Sequence, residues 1–375
     1  MKSRLAEELG IDFPIFAFSH CRDVVAAVSN AGGLGVLGAL AFTPGQLEIE
    51  LDWIDAHVDG KSYGVDVVMP ASYAGAGELP ADASNAEMAG ILDELIPEGH
   101  RRYVEEVLER YGVARLPDDE SDVHRLLGWT HEGARPLVDI ALSHPIRLLA
   151  NALGPPPPDV VKLAHAQGVK VAALVGTVPQ AERQVQNGVD IVVASGYEAG
   201  GHTGEITTMV LVPDVVDAVA PVPVLAAGGI GDGRQVAAAL ALGAAGVWLG
   251  SIWLTTAESD MQPYLIEKLL AAGSRDTARS RALSGKPARQ LRTAWTEAWD
   301  APESPGTLPM PLQYMLTAEA QRRIARSDVK ELQGIPVGQI VSRMNQVKPV
   351  RQVMFELMEG FAGAAERLGT LLADE

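Results

Sequence analysis

Cysteine is nearly missing from this chain. Cys21 is the only one in 375 residues, so no disulfide can form within it. Aromatic residues are few at 5%, which leaves Ala, Val, Leu and Gly to build the core. That mix suits Val-rich buried strands with small-residue helices packed on them. No window approaches the roughly 18–20 apolar residues that a membrane-spanning helix needs. Nor does a basic start followed by an apolar run mark the N-terminus, so we expect a cytoplasmic protein. Positive charge is scarce as well. Against 48 Asp and Glu stand 30 Lys and Arg, and a net charge of −18 argues against general binding to nucleic acid or acidic lipid.

Short apolar runs alternate with helical patterns. Strands are predicted at 13–19, 34–39, 63–69, 147–152, 170–175, 190–195, 222–227 and 246–250. Helical stretches fall between them at 23–31, 44–57, 158–167, 179–187, 212–219 and 233–242. Such alternation implies parallel strands, and eight units in one domain imply an α/β protein of the closed TIM (β/α)8 barrel type. An open doubly wound sheet is the structural alternative. Two segments break the rhythm. Residues 71–130 form an insertion after the third strand, expected to cover a barrel face, with helical patterns at 85–96 and 100–111; the stretch 134–143 is expected to be the barrel's third helix. Residues 261–334 read as a small helical substrate domain, and the amphipathic stretch 350–372, within a C-terminal segment 335–375, can return to close the barrel.

Barrel active sites lie where strands end and loops begin. Gly228-Gly229-Ile230-Gly231-Asp232-Gly233 follows the seventh predicted strand and runs into an Ala-rich helix. Glycines let backbone N–H groups approach an anion, and a helix start adds favourable partial charge. The spacing is not that of a dinucleotide fingerprint. Gly250-Ser251 follows the eighth strand, and loops after strands seven and eight often hold phosphate groups in this architecture. After the sixth strand comes Gly196-Tyr197-Glu198-Ala199-Gly200-Gly201-His202-Thr203-Gly204. A histidine there can project into the mouth, and its ordinary pKa near 6.5 suits proton abstraction. A loop histidine that only bonds its own turn is the alternative.

These motifs resemble the nitronate monooxygenase family, formerly the 2-nitropropane dioxygenases. The resemblance is carried by Glu198-Ala199-Gly200-Gly201-His202, Ala226-Ala227-Gly228-Gly229-Ile230, Asp232-Gly233-Arg234, Gly250-Ser251 and Glu258-Ser259. Residues 25–35, Tyr63-Gly64-Val65 and Gly285-Lys286-Pro287-Ala288-Arg289 add to it. It implies a barrel with a small substrate domain, non-covalent FMN and His202 as the base. It also implies that Gly228, Gly229, Gly250 and Ser251 hold the FMN phosphate, with Gly196, Gly200 and Gly201 beside the flavin. Asn151 sits after the fourth strand, where a flavin contact fits. The chain departs from the family at Phe16–Asp23, where a Gln-x-x-Met-like segment is usual, at Asp66, usually Asn, and at Ser195, usually Gln. Residues 17–23 and the long C-terminal extension are similar to an actinobacterial subgroup. That subgroup includes a flavin-dependent hydroxyacyl-CoA dehydrogenase of steroid ring catabolism.

Further residues follow from position and charge. His20 and Arg22 come after the first strand, so both are candidates for catalysis at the same mouth; Arg22 as an exposed start of the next helix is the alternative. Cys21 reads as a small buried residue rather than a nucleophile. Residues 275–292 carry six basic groups and one acidic group. Arg275, Lys286, Arg289 and Arg292 are the candidates there for the phosphates of a coenzyme A thioester. A solvated face answering the acidic insertion explains the cluster equally well. The expected enzyme is an FMN-dependent oxidoreductase, and its preferred substrate is a hydroxyacyl- or enoyl-CoA thioester. Alkyl nitronates with oxygen, or a flavin-free barrel binding a phosphate ligand, are the alternatives. A homodimer is compatible with this reading.

Overall fold

The computed structural model describes residues 3–69, 85–117 and 131–373. Its strands, in chain order, are β1 (Ile15–Ser19), β2 (Leu34–Gly38), β3 (Tyr63–Asp66), β4 (Leu148–Asn151), β5 (Lys170–Val175), β6 (Ile191–Ser195), β7 (Gly201–His202), β8 (Val224–Ala227), β9 (Gly246–Leu249), β10 (Thr277–Ser280) and β11 (Ala288–Leu291). β1 to β6, β8 and β9 close into a barrel of eight parallel strands. The predicted strands coincide with these eight to within three residues at every end. The open doubly wound alternative is therefore excluded by the β1–β9 pairing.

Strand parity decides what the barrel contains. Phe16, Leu34, Val36, Leu148, Ala150, Ala172, Ile191, Val193, Leu225, Ala227 and Trp248 share one buried cluster inside the barrel. Leu5 and Leu9 of helix α1 (Arg4–Leu9) join this cluster. The alternate residues, such as Ala17, Val65, Leu149, Val171, Val192 and Val247, pack outward under the helices. Continuing the inward parity to the strand ends places Phe18, Asp66, Leu174 and Ser195 at the top of the interior. They form the floor of the mouth.

Some of the surrounding helices begin at side-chain caps and others do not. In α2 (Arg22–Asn30) no side chain caps the start. In α3 (Pro44–His57) Thr43 and Gln46 form a capping box with Pro44 at the first position. The insertion contributes α4 (Asn85–Glu94) and α5 (Glu98–Arg110), and α6 (His131–Ser143) packs on α3 as the barrel's third helix. α7 (Pro158–Ala166), α8 (Val178–Gln186), α9 (Thr208–Val219) and α10 (Gly233–Ala241) complete the ring. α11 (Pro263–Ala271), α12 (Ala294–Asp300) and α13 (Leu312–Arg326) follow, and α14 (Val350–Ala373) returns to pack on α10 and α2.

Two expectations need correction. The segment 261–334 is not purely helical, because β10 and β11 form an antiparallel pair, extended by β7 into a three-stranded sheet. Nor do the described helices of the insertion simply lie over the barrel. Leu92, Tyr103, Val107 and Leu108 share a core with Trp295, Trp299, Leu316 and Ile324. Buried Arg323 of α13 fixes the union. It reaches Glu105 at 2.7 Å and the carbonyls of Val113 and Ala114. Residues 70–84 and 118–130 of the expected insertion lie outside the described residues.

Candidate active site

The histidine loop is locked by contacts with protein on nearly every side. A Cβ on Gly196 would sit 2.2 Å from Thr208 Oγ1, and one on Gly200 would sit 2.7 Å from Gly338 N. Glycine is therefore required at both places by close packing, whatever ligand lies nearby. Glu198 accepts from the Thr208 backbone N–H and hydroxyl, each at 2.9 Å, and so anchors the loop to the start of α9. Arg289 is almost fully buried. Its Nε and one terminal nitrogen both donate to the Tyr197 carbonyl at 3.1 Å, another donates to Thr277, and the guanidinium lies 4.5 Å over the Tyr197 ring.

His202 is delivered by pairing. Its β7 register with Ala288 holds it against β11, and Gly201 reaches this geometry with φ 74°. The imidazole Nε2 lies 2.7 Å from Ser284 Oγ, a hydroxyl with no exposure. Burial, with the neighbouring Lys286 cation acting in the same direction, lowers the His202 pKa to about 4. The ring is therefore neutral at pH 7 and free of a proton that it would have to lose before acting as a base. Burial also lowers the Lys286 pKa.

The turns after β8 and β9 are built differently. Gly228 and Gly229 have φ 100° and 70°, in the left-handed region open to glycine. Among the described residues, the N–H groups of Gly229 and Ile230 make no hydrogen bond. The nearest atoms to a Cβ on Gly250 belong to Phe18, at 3.9 Å and 4.0 Å, so that face is open. Ser251 Oγ accepts from Gly338 N at 2.9 Å and keeps its hydroxyl proton to donate. Beyond Ile230 the same run serves packing. A Cβ on Gly231 would meet Ile340 at 2.5 Å, and one on Gly233 would meet the Leu357 carbonyl at 2.2 Å. Gln235 accepts from Gly231 N–H and Asp232 caps α10. The expected anion cradle thus shortens to Gly228–Ile230 with Gly250–Ser251.

Other predicted residues separate into two groups. Asp66 stays at the mouth, buried, with Oδ1 lacking any hydrogen-bond partner and a pKa raised to about 7 by burial. Asn151 is buried beside it in the sheet order. Its amide is engaged by the chain itself, accepting from Met69 N and donating to the Gly154 carbonyl, each at 2.8 Å. His20 bonds the Gly38 carbonyl through Nδ1 at 2.9 Å and packs edge-on against Phe18. Burial lowers its pKa. Arg22 is not brought to the mouth. It lies 4.7 Å over the Trp53 ring and 3.4 Å from Glu50, both on α3, which satisfies its charge on the outer face. The buried Cys21 thiol donates to the Glu258 carbonyl, and burial pushes its pKa up.

The basic cluster does not act as one surface. Arg289 is committed inward, and Arg279 is held by Thr203 and Glu205. Arg275 and Arg292 are exposed, and Lys286 is turned towards His202. Arg289 is thereby corrected from a ligand for coenzyme phosphates to a clamp on the histidine loop. Ser284, Gln235 and Gly338 were missed from sequence. Ser284 stands 82 positions from His202, and no local pattern links the two.

A closed parallel barrel, glycine turns after two adjacent strands and a neutral histidine held over its mouth define a barrel enzyme. The family described as nitronate monooxygenase matches the chain over residues 2–360. The Mycobacterium tuberculosis protein Rv1533 is 54% identical over 99% of this chain and 100% of its own length. A probable nitronate monooxygenase of Staphylococcus aureus strain Newman is 30% identical, over 95% of this chain and 96% of its own. The solved nitroalkane oxidase of Streptomyces ansochromogenes superposes with a TM-score of 0.79 at 26% identity, covering 97% of this chain and 99% of that one. FabK of Thermotoga maritima gives 0.75 at 28% identity, with 99% of each chain covered. The chain belongs to the nitronate monooxygenase family and is an oxidoreductase of that family.

Proposed function

We propose that the protein is an FMN-dependent oxidoreductase with a hydroxyacyl- or enoyl-CoA thioester as the preferred substrate class, in which His202 takes the hydroxyl proton when a hydroxyacyl-CoA is oxidised and, in its protonated form, gives a proton to the α carbon when an enoyl-CoA is reduced. The observation that carries this reading is the buried, neutral His202 imidazole bonded to Ser284, on a loop whose Ala199 and Glu198 pack against Gly228 and Gly229.

The residues present fit FMN. The unbonded N–H groups of Gly229 and Ile230, the open face of Gly250 and the Ser251 hydroxyl would hold its phosphate. Asp66 would meet the ring system. Its pKa of about 7 leaves the carboxyl partly protonated at neutral pH, so it can both donate and accept, as the usual Asn does. Asn151 would shape the same wall through its hold on Met69 and Gly154. FMN when bound supplies a two-electron carrier.

The chain's own residues supply the proton chemistry. Ser284 fixes the His202 ring, and Arg289 fixes the loop that carries it. The imidazole accepts a proton from a substrate hydroxyl or acidic C–H. Lys286 opposes the resulting imidazolium but faces the negative charge that a thioester enolate or an alkoxide develops. Arg275 and Arg292, exposed on the small unit, remain for the coenzyme phosphates. Likeness to a nitroalkane oxidase favours a second reading, in which the substrate is an alkyl nitronate; its anionic charge also suits Lys286.

Anaerobic mixing while following flavin absorbance separates the two. Bleaching by a hydroxyacyl-CoA and not by propionate 3-nitronate is expected, and the reverse result would replace the first reading with the second. A colourless protein that gains no absorbance with FMN would remove both.

A further inference from the structure

At the opposite end of the barrel from the glycine turns, α3 and the turn after α6 bring together a second cluster. His144 directly follows α6 and leads into β4, and Asp55 lies in the last turns of α3 before β3. Nδ1 of His144 lies 2.7 Å from Asp55 Oδ2, and the other Asp55 oxygen accepts the Tyr63 hydroxyl at 2.5 Å. With Nδ1 donating to a carboxylate, Nε2 carries the lone pair in the neutral ring. The side chain is only 7% exposed, and Nε2 is buried with no hydrogen-bond partner among the described residues. It points at another anion, Glu48 Oε1, 3.8 Å away. Asp52 stands one helical turn beyond Glu48 on the same face of α3. The ligand atoms of Glu48, Asp52 and His144 all lie within 4.8 Å of one another.

A lone pair buried against two carboxylates is unfavourable unless positive charge lies between them. Two ligand bonds of about 2.0–2.1 Å meeting at a wide angle span nearly the observed gap between His144 Nε2 and Glu48. Asp55 on the far nitrogen is the outer carboxylate that metal-bound histidines commonly have, fixing the tautomer and ring orientation. We propose that Glu48, Asp52 and His144 bind one divalent first-row transition ion, Zn2+ being the natural probe, with water completing the coordination. Imidazole in the set selects such ions over Mg2+. The ion would tie α3 to the turn after α6, remote from the chemistry at the mouth. The partial exposure of Glu48 and Asp52 points to a dissociation constant on the order of micromolar rather than that of an enclosed structural site.

The test uses untagged full-length protein stripped with a chelator and titrated calorimetrically with Zn2+. One equivalent is expected. At a hundredfold excess over the dissociation constant, the unfolding midpoint should rise by about 3 °C. Glu48→Gln and Asp52→Asn, each at an exposed position, should weaken binding at least tenfold and abolish most of the thermal shift, and His144→Ala should lose it. The carboxylate variants keep the test decisive if His144→Ala folds poorly. Absence of uptake would overturn the proposal and leave His144 as a packing and hydrogen-bond partner of Asp55 beside Glu48. Uptake undiminished in both carboxylate variants would show adventitious binding elsewhere and overturn it equally. So would competition by Mg2+ as effective as Zn2+.

Discussion

The two glycine-rich regions of the mouth look alike in sequence and are opposite in structure. In 196–204 the missing side chains make room for the protein itself: Thr208 against Gly196, and the backbone at Gly338 against Gly200. At Gly228 and Gly229 they allow left-handed backbone pressed against the histidine loop, with Ala199 N and Thr208 Oγ1 3.0 Å from a Cβ on Gly228, and leave the N–H groups of Gly229 and Ile230 unbonded; open space is found at Gly250. Glycine thus serves precision in the first region and access in the second. One positions His202, the proposed base, and the other would cradle an anion.

The largest expected effect tests the base. His202→Asn should keep bound flavin and lower turnover by roughly 10²–10⁴-fold, read by steady-state kinetics beside the flavin spectrum. Near-normal turnover would leave the locked loop without a catalytic purpose. The pH profile sharpens this point. With the folded-state pKa near 4, the imidazole stays neutral as pH falls through 6.5 and is lost as a base only near 4. The acid limb of kcat/KM for the free enzyme should therefore lie close to pH 4, and an inflection near 6.5 would contradict the burial of this ring.

Among the glycines of these two regions, Gly196→Ala should be the most damaging change. A Cβ at 2.2 Å from Thr208 Oγ1 and 2.5 Å from its backbone N demands movement of the α9 start, at a cost of about 3 kcal/mol. Urea unfolding measures this directly, and a loss below about 1 kcal/mol would show that the loop is not locked. Asp66→Asn should act through pH. Burial raises the native carboxyl to about 7 from an ordinary value near 4, so the folded state holds the proton longer than the unfolded one. Stability is then lost as pH rises from about 4 to 7. Asn should restore roughly 1–3 kcal/mol in the flavin-free protein at pH 8 and little at pH 4, which melting curves at the two pH values would show. Gly250→Ala should do the reverse of Gly196→Ala. Its φ is −118° and its nearest neighbours are 3.9 Å away, so stability should change by less than about 1 kcal/mol. Flavin affinity should fall about tenfold by fluorescence titration, because the methyl group enters the space proposed for the phosphate. Equal affinity would move the cradle elsewhere.

Much of the barrel was legible because strands buried on both faces read as continuous short apolar runs. The eight parallel strands carry Val, Ile, Leu and Ala on both faces, and that signal survives without neighbours. β10 and β11 carry no such signal. Thr277-Ala278-Arg279-Ser280 and Ala288-Arg289-Gln290-Leu291 look like loop or surface, and become strands only by pairing with each other and with β7. The same pairing turned Arg289 inward, so a basic cluster in sequence was not a basic patch in space. Arg22 was misplaced for a related reason, since the stacking partner Trp53 lies 31 positions away on another helix. Glycine positions were readable; what filled the space beside each of them was not.

The antiparallel bond between β7 and β11 has a mechanical consequence. His202 belongs by chain order to the barrel rim, yet its backbone is stitched to the small sheet at Ala288. Any tilt of that sheet relative to the rim must either unzip this stitch or drag the imidazole along. The proposed base is thus tied to both units, so a molecule that shifted the small sheet would also reset the aim of the imidazole.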